Sequence, residues 1–159
     1  MTTSRPLPRP VRKALPWLAG WFGFQAVVAI AGWVTAWRRN EGDETSLGIR
    51  RTVTHHGLEL RPTNPQLSRV RVDLAMAGAE IDLTAIPQPP TGVDLTVNLL
   101  MGGMSIRVPA GWRVWWQFRG VGGMDADGTV QRTHDPHAAD LRVYANVLMG
   151  GVGIEGSAG

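Results

Sequence analysis

One short phrase recurs four times along the chain and constrains its fold more than any other feature. It reads LAMAGAEI at 74–81, LLMGGMSI at 99–106, RGVGGMDA at 119–126 and VLMGGVGI at 147–154. The second small residue of each step is Gly78, Gly103, Gly123 or Gly151, at intervals of 25, 20 and 28 residues. Self-similarity at such a period marks an architecture made by laying one supersecondary unit on the next. It points to a scaffold or a recognition surface rather than a catalyst.

Each step follows a period-2 stretch. Val70, Val72, Leu74 and Met76 alternate with Arg71, Asp73 and Ala75; Val93, Leu95, Val97, Leu99 and Met101 alternate with Asp94, Thr96 and Asn98. The same pattern runs through Trp112, Val114, Trp116 and Phe118, and through Leu141, Val143, Ala145, Val147 and Met149. Strict alternation of this kind predicts half-buried strands. A second inward set resumes after the step: Ala79, Ile81 and Leu83; Met104, Ile106 and Val108; Val152 and Ile154. The Gly-Gly step therefore reads as a corner between two strands, where a Cβ would obstruct. A unit of roughly 25 residues cannot bury its apolar face alone, so neighbours must stack. The expected fold class is all-β: a small β-solenoid, or β-helix, of four such coils in chain order, preceded by one N-terminal transmembrane α-helix. An antiparallel β-sandwich is the alternative, since strands at this spacing also suit it.

The transmembrane expectation rests on 14–37, a run of 24 residues without a charge. As a helix it would measure about 36 Å, enough for a hydrocarbon core of about 30 Å. Trp17 and Trp21 lie near one end, Trp33 and Trp37 near the other, in the manner of interfacial belts. A cleaved signal peptide (Ala29-Ile30-Ala31 has the A-x-A form) and a buried core helix are the competing readings. Four basic residues flank each end: Arg5, Arg9, Arg12 and Lys13, then Arg38, Arg39, Arg50 and Arg51, so charge sets no orientation. The expected organisation is a basic tail at 1–13, a transmembrane helix at 14–37, a juxtamembrane linker at 38–66 and the β domain at 67–156.

Charge is distributed to match. Residues 1–69 hold ten Arg/Lys against four Asp/Glu, whereas 70–159 hold six against nine. Basic residues beside an apolar run favour anionic lipid head groups, and no nucleic-acid recognition motif accompanies them. Without a cysteine the chain has no disulfide and no thiolate metal site.

The residues with chemical potential form no convincing site. His134-Asp135-Pro136-His137 places two histidines and a carboxylate in one turn but offers no further ligand, and His55-His56 reads as exposed polar sequence. Asp73, Glu80, Asp82 and Asp94 form an outward carboxylate group of the type that glycan-cleaving β-helices use for acid/base work, though four coils are few for a cleft. The Gly-rich steps match no phosphate-binding pattern. Trp112 and Trp116 read as inward and Trp115 as outward, the latter being a candidate anchor for a partner, a sugar ring or a lipid interface. No catalytic, cofactor-binding or metal residue is assigned, and the chain reads as a non-enzyme without cofactors.

The phrases LAMAGAEIDLT at 74–84, LLMGGMSIRVPAGWRV at 99–114, VGGM at 121–124 and VLMGGVGIE at 147–155 together resemble the C-terminal domain of the LiaF type. These are bacterial membrane proteins of the cell-wall-active-antibiotics response. The resemblance covers about 70–155 and implies a β-helical domain, cytoplasmic, that regulates a membrane signalling system by protein contact. The family usually carries several membrane helices ahead of this domain, whereas only one candidate precedes it here. The expected function is a single-pass membrane protein that senses or relays envelope stress. Its expected partners are membrane lipids at 14–37 and a protein, with a sensor kinase or a second copy as candidates. A bactofilin-like self-assembling scaffold and a glycan-binding module are the alternatives. Because only 156–159 follow the last repeat, that repeat is expected to be uncapped and to stack on a second copy or another protein.

Overall fold

The computed structural model describes residues 40–157. Their strands are β1 (Gly48–Val53), β2 (Leu58–Leu60), β3 (Arg69–Asp82), β4 (Val93–Val108), β5 (Arg113–Ala126), β6 (Gln131–Arg132) and β7 (Leu141–Gly156). All seven belong to one sheet in the order β1-β3-β4-β7-β5-β6, with β2 also on β3, and every strand pair is parallel.

The alternating residues build the core as their spacing requires. Val70, Val72 and Leu74 are buried, as are Val93, Leu95, Val97 and Leu99, and Leu141, Val143, Ala145 and Val147. Beyond the step, Ala79, Ile81 and Leu83, Met104, Ile106 and Val108, and Val152 and Ile154 are buried in the same cluster. The inward parity thus reverses across the step, from even to odd numbers in β3 and from odd to even in β4 and β7, whereas β5 keeps even numbers inward through its register shift at Gly120/Gly122. A straight strand of the 16 residues of β4 would span about 53 Å. Yet the link 109–112 to β5 reaches no more than about 14 Å. Each long strand must therefore fold back at its small-residue step, and both halves enclose one interior.

The backbone at the step explains the glycines. Gly102 and Gly150 have φ of +138° and +147°, and they are paired with each other across β4 and β7. A Cβ at Gly150 would run into the Gly102 carbonyl, and one at Gly102 into the Ala77 carbonyl. Successive steps lie so close that only hydrogen fits.

Three expectations are corrected. The four coils do not stack in chain order as a solenoid: the fourth repeat, β7, is inserted between the second and third, and the sheet is open rather than closed. The physical reason is that β4 and β7 share a full ladder from Val93↔Leu141 to Val108↔Gly156, while β5, richer in bulky aromatics, pairs only on the far side of β7. The antiparallel sandwich fails because the strand pairs are parallel. The expected N-terminal transmembrane helix gains no support: 14–37 lie outside the described residues, and among those described no helix is long and apolar enough to cross a membrane. The described helical structure is a single 3-10 turn, Pro136–Ala138.

The sheet also begins before residue 67. Val53 pairs with Leu74 and Leu58 with Ala79, so 54–57 lie opposite the step of β3. β1 and β2 are one further repeat, with Thr-His-His-Gly in place of Ala-Met-Ala-Gly. The side of this repeat away from β3 is covered by the chain entering it. Glu41 pairs antiparallel with Arg50, the Thr52 N–H donates to Asn40 Oδ1 at 2.8 Å, and Glu44 accepts from the N–H groups of Arg61 and Thr63.

Candidate interaction surface

The fold-back places a row of apolar side chains on the outside. Met76, Met101 and Met149 continue the alternation of their strands and were expected inward, but they are 50, 47 and 55% exposed. The reason is the parity reversal: the phase is lost at the step, and the last residue of each first-half series is turned outward. Met76 pairs with Met101 and Met101 with Met149, so the three stand in register across β3, β4 and β7. Leu100, Leu148 and, on β5, Val121 at 67% exposure extend the row. A contiguous apolar ridge on a rigid sheet is the kind of surface that marks a contact with another molecule.

Polar ladders flank the ridge. The Asn146 amide donates to Asn98 Oδ1 at 2.9 Å, Asn98 donates to Asp73, and Asp73 lies 3.6 Å from Arg50 and 3.2 Å from Arg71. Burial pushes the Asp73 carboxyl up, but the Asn98 amide and the Arg71 guanidinium outweigh it and hold it below its ordinary value. On the other side Arg107 sits 2.9 Å from Glu80 and 3.6 Å from Glu155, while Arg142 binds Asp94 on the side of the asparagines. Asp82 accepts from the Thr84 hydroxyl and N–H, which depress its pKa. The four carboxylates singled out from the sequence are divided by the step, Asp73 and Asp94 before it and Glu80 and Asp82 beyond it, and each is tied to its own partner. Asp73 and Asp82 are held below their ordinary values, the opposite of the raised state that a general acid needs. A shallow, open groove crosses Gly57, Gly78 and Gly103 beside Glu59, Glu80 and Ser105.

Trp112 is buried, and Trp116 packs against the core under Arg132, whose guanidinium carbon lies 4.2 Å from the ring centroid. Trp115 points outward, half-buried, with its ring edge-to-face on Tyr144 at 5.4 Å. His55 and His56 are exposed at the step of the first repeat. Asp135 caps the 3-10 turn by accepting the His137 N–H, and among the described residues no group of His, Asp and Glu converges on a metal position.

Sequence reasoning missed Asp140. It is 5% exposed, and it accepts from the Arg113 backbone N–H at 2.8 Å, the Gln88 amide at 3.0 Å and Arg113 Nε at 3.3 Å. It joins the turn after β3, the start of β5 and the entry to β7. Burial raises its pKa, yet these donors prevail and the carboxyl sits below its ordinary value. A lowered folded-state pKa means stability that is present above the unfolded value, near about 3.9, and lost as pH falls through the folded one. The melting temperature should therefore drop below about pH 4, and Asp140→Asn should flatten that drop in a pH series of thermal melts. Asp140→Ala strands a buried N–H and should cost about 2–3 kcal/mol by denaturant titration.

No protein-family model, no characterised protein and no solved structure matches the chain, so no family is assigned.

Proposed function

We propose that this chain is a non-enzymatic regulator held at a bacterial cell membrane, whose β domain acts by docking its methionine ridge onto another membrane-associated protein of an envelope-stress signalling system. The in-register row Met76–Met101–Met149 carries this reading. Methionine offers a polarizable, adaptable surface suited to contact with a partner, and the row is rigidly spaced by the strands beneath it. The uncharged, tryptophan-flanked run at 14–37 supports membrane association, and the LiaF-type resemblance supports the signalling role.

The bactofilin-like alternative needs two exposed sheet edges that fit each other end to end. The bonds from residues 40 and 41 to Arg50 and Thr52 weigh against it, because they block the β1 part of one of those edges.

The reading is tested in cells lacking the gene, complemented with wild-type chain or with Met101→Asp/Met149→Asp, while an envelope-stress reporter is followed. The double variant should behave like the deletion. Both positions are exposed, so its unfolding free energy should stay within about 1 kcal/mol of wild type. Full complementation by a stably folded double variant would sink the proposal.

A further inference from the structure

Among the described residues the longest uncovered stretch of sheet edge is not at the last repeat. β7 is paired on both sides, by β4 and β5. On the outer side of β5, β6 covers Arg113 and Val114, and the Thr133 N–H reaches the Val114 carbonyl. From Trp116 to Ala126, among the described residues, no backbone hydrogen bond is made on that side; the Ala126 N–H is taken only by the Asp125 carboxylate of its own chain. An open strand edge of this length is a template for pairing with another strand.

We infer that this edge is a two-fold interface, in which β5 of one copy pairs antiparallel with β5 of a second copy. Three observations select this occupant. The opposite edge of the sheet is partly covered by 40–44, which bond Arg50, Thr52, Arg61 and Thr63 and obstruct head-to-tail addition, whereas an isologous contact uses the β5 edge twice and closes. Arg119 and Asp125 lie on the outer face of β5 on either side of the Gly120–Gly123 step, and neither forms an ion pair among the described residues. A two-fold axis through that step lays the first half of one strand along the second half of the other, bringing Arg119 beside the partner's Asp125 and Asp125 beside the partner's Arg119. The glycines at the centre leave the backbones free to approach. This inference does not rest on the signalling role.

Val121 lies one residue from the axis at Gly122 and is 67% exposed, and the chain has no cysteine of its own. Full-length chain carrying Val121→Cys, in its native membrane, should therefore cross-link to itself under mild oxidation. His55→Cys, at the step of the first repeat on the opposite edge, should not. Arg119→Asp added to Val121→Cys should lower the cross-linked dimer roughly tenfold, because both attractive pairs become repulsive. The swap Arg119→Asp/Asp125→Arg should restore it. Equal cross-linking at positions 55 and 121, a dimer indifferent to Arg119→Asp, failure of the swap to restore it, or cross-linking of position 121 only to a different protein would each overturn the two-fold interface.

Discussion

A chain ending at Asp140 should fail to fold. In a stack that follows chain order, loss of the last repeat leaves a shorter but intact stack, because each coil contacts only its neighbours. Here the last repeat lies in the middle. β7 is the common partner of β4 and β5, and it contributes Leu141, Val143, Ala145, Val147, Val152 and Ile154 to the core. Its removal separates β5 from the remainder of the sheet and exposes the apolar faces of β4 and β5 together. Loss of six buried aliphatic or alanine side chains at about 1.5–3 kcal/mol per large one exceeds the whole stability of an ordinary domain. The expected result is a truncated chain without a cooperative thermal transition by circular dichroism. A cooperative melt would show that β3, β4 and β5 can close the gap, and would contradict the inserted order.

The second large effect is expected at Gly150. Alanine there meets two penalties: a φ of +147° that L-residues rarely adopt, and a Cβ driven into the Gly102 carbonyl. Backbone cannot move aside as a flexible side chain would, because Gly102 is itself pressed on Ala77. Gly150→Ala should cost at least about 2 kcal/mol. Gly103→Ala is the control within the same phrase: it has no positive φ, and its Cβ would lie 4.0 Å from the nearest atom, the Gly151 carbonyl oxygen. It should fall within about 1 kcal/mol of wild type. Denaturant midpoints for the two variants read the contrast directly, and equal effects would mean that the step is not the tight stack described.

These glycines also show how much could be read beforehand. The phrase MGGM at 101–104 located a corner, and the flanking alternation named most of the buried residues on both sides of it. What the alternation could not supply was the phase across the corner. Period 2 carries Met76, Met101 and Met149 inward, and only the fold-back, a property of φ at the step, turns them out. The β-leaning stretches 49–54 and 58–61 are legible in the sequence, but not as a repeat, because His55 and His56 occupy the step and Arg51 breaks the apolar alternation; Gly57, 21 residues before Gly78, is the mark they share with the others. Asp140 looked like any carboxylate near a turn, since its three donors come from Gln88 and Arg113, distant in sequence.

The amino-acid sequence by itself determined that the chain builds period-2 strands, that they break at small residues, and which side chains form the interior, because these depend on local sterics and on a residue's own neighbours. Which strand lies beside which was decided only in the tertiary structure. The first halves of β4, β5 and β7 offer similar alternating ladders, and the sequence assigns none of them a partner. The order is settled by how their side chains fill one shared interior. That choice put β7 at the centre, left β5 at the open edge, and turned a row of methionines from expected core into surface.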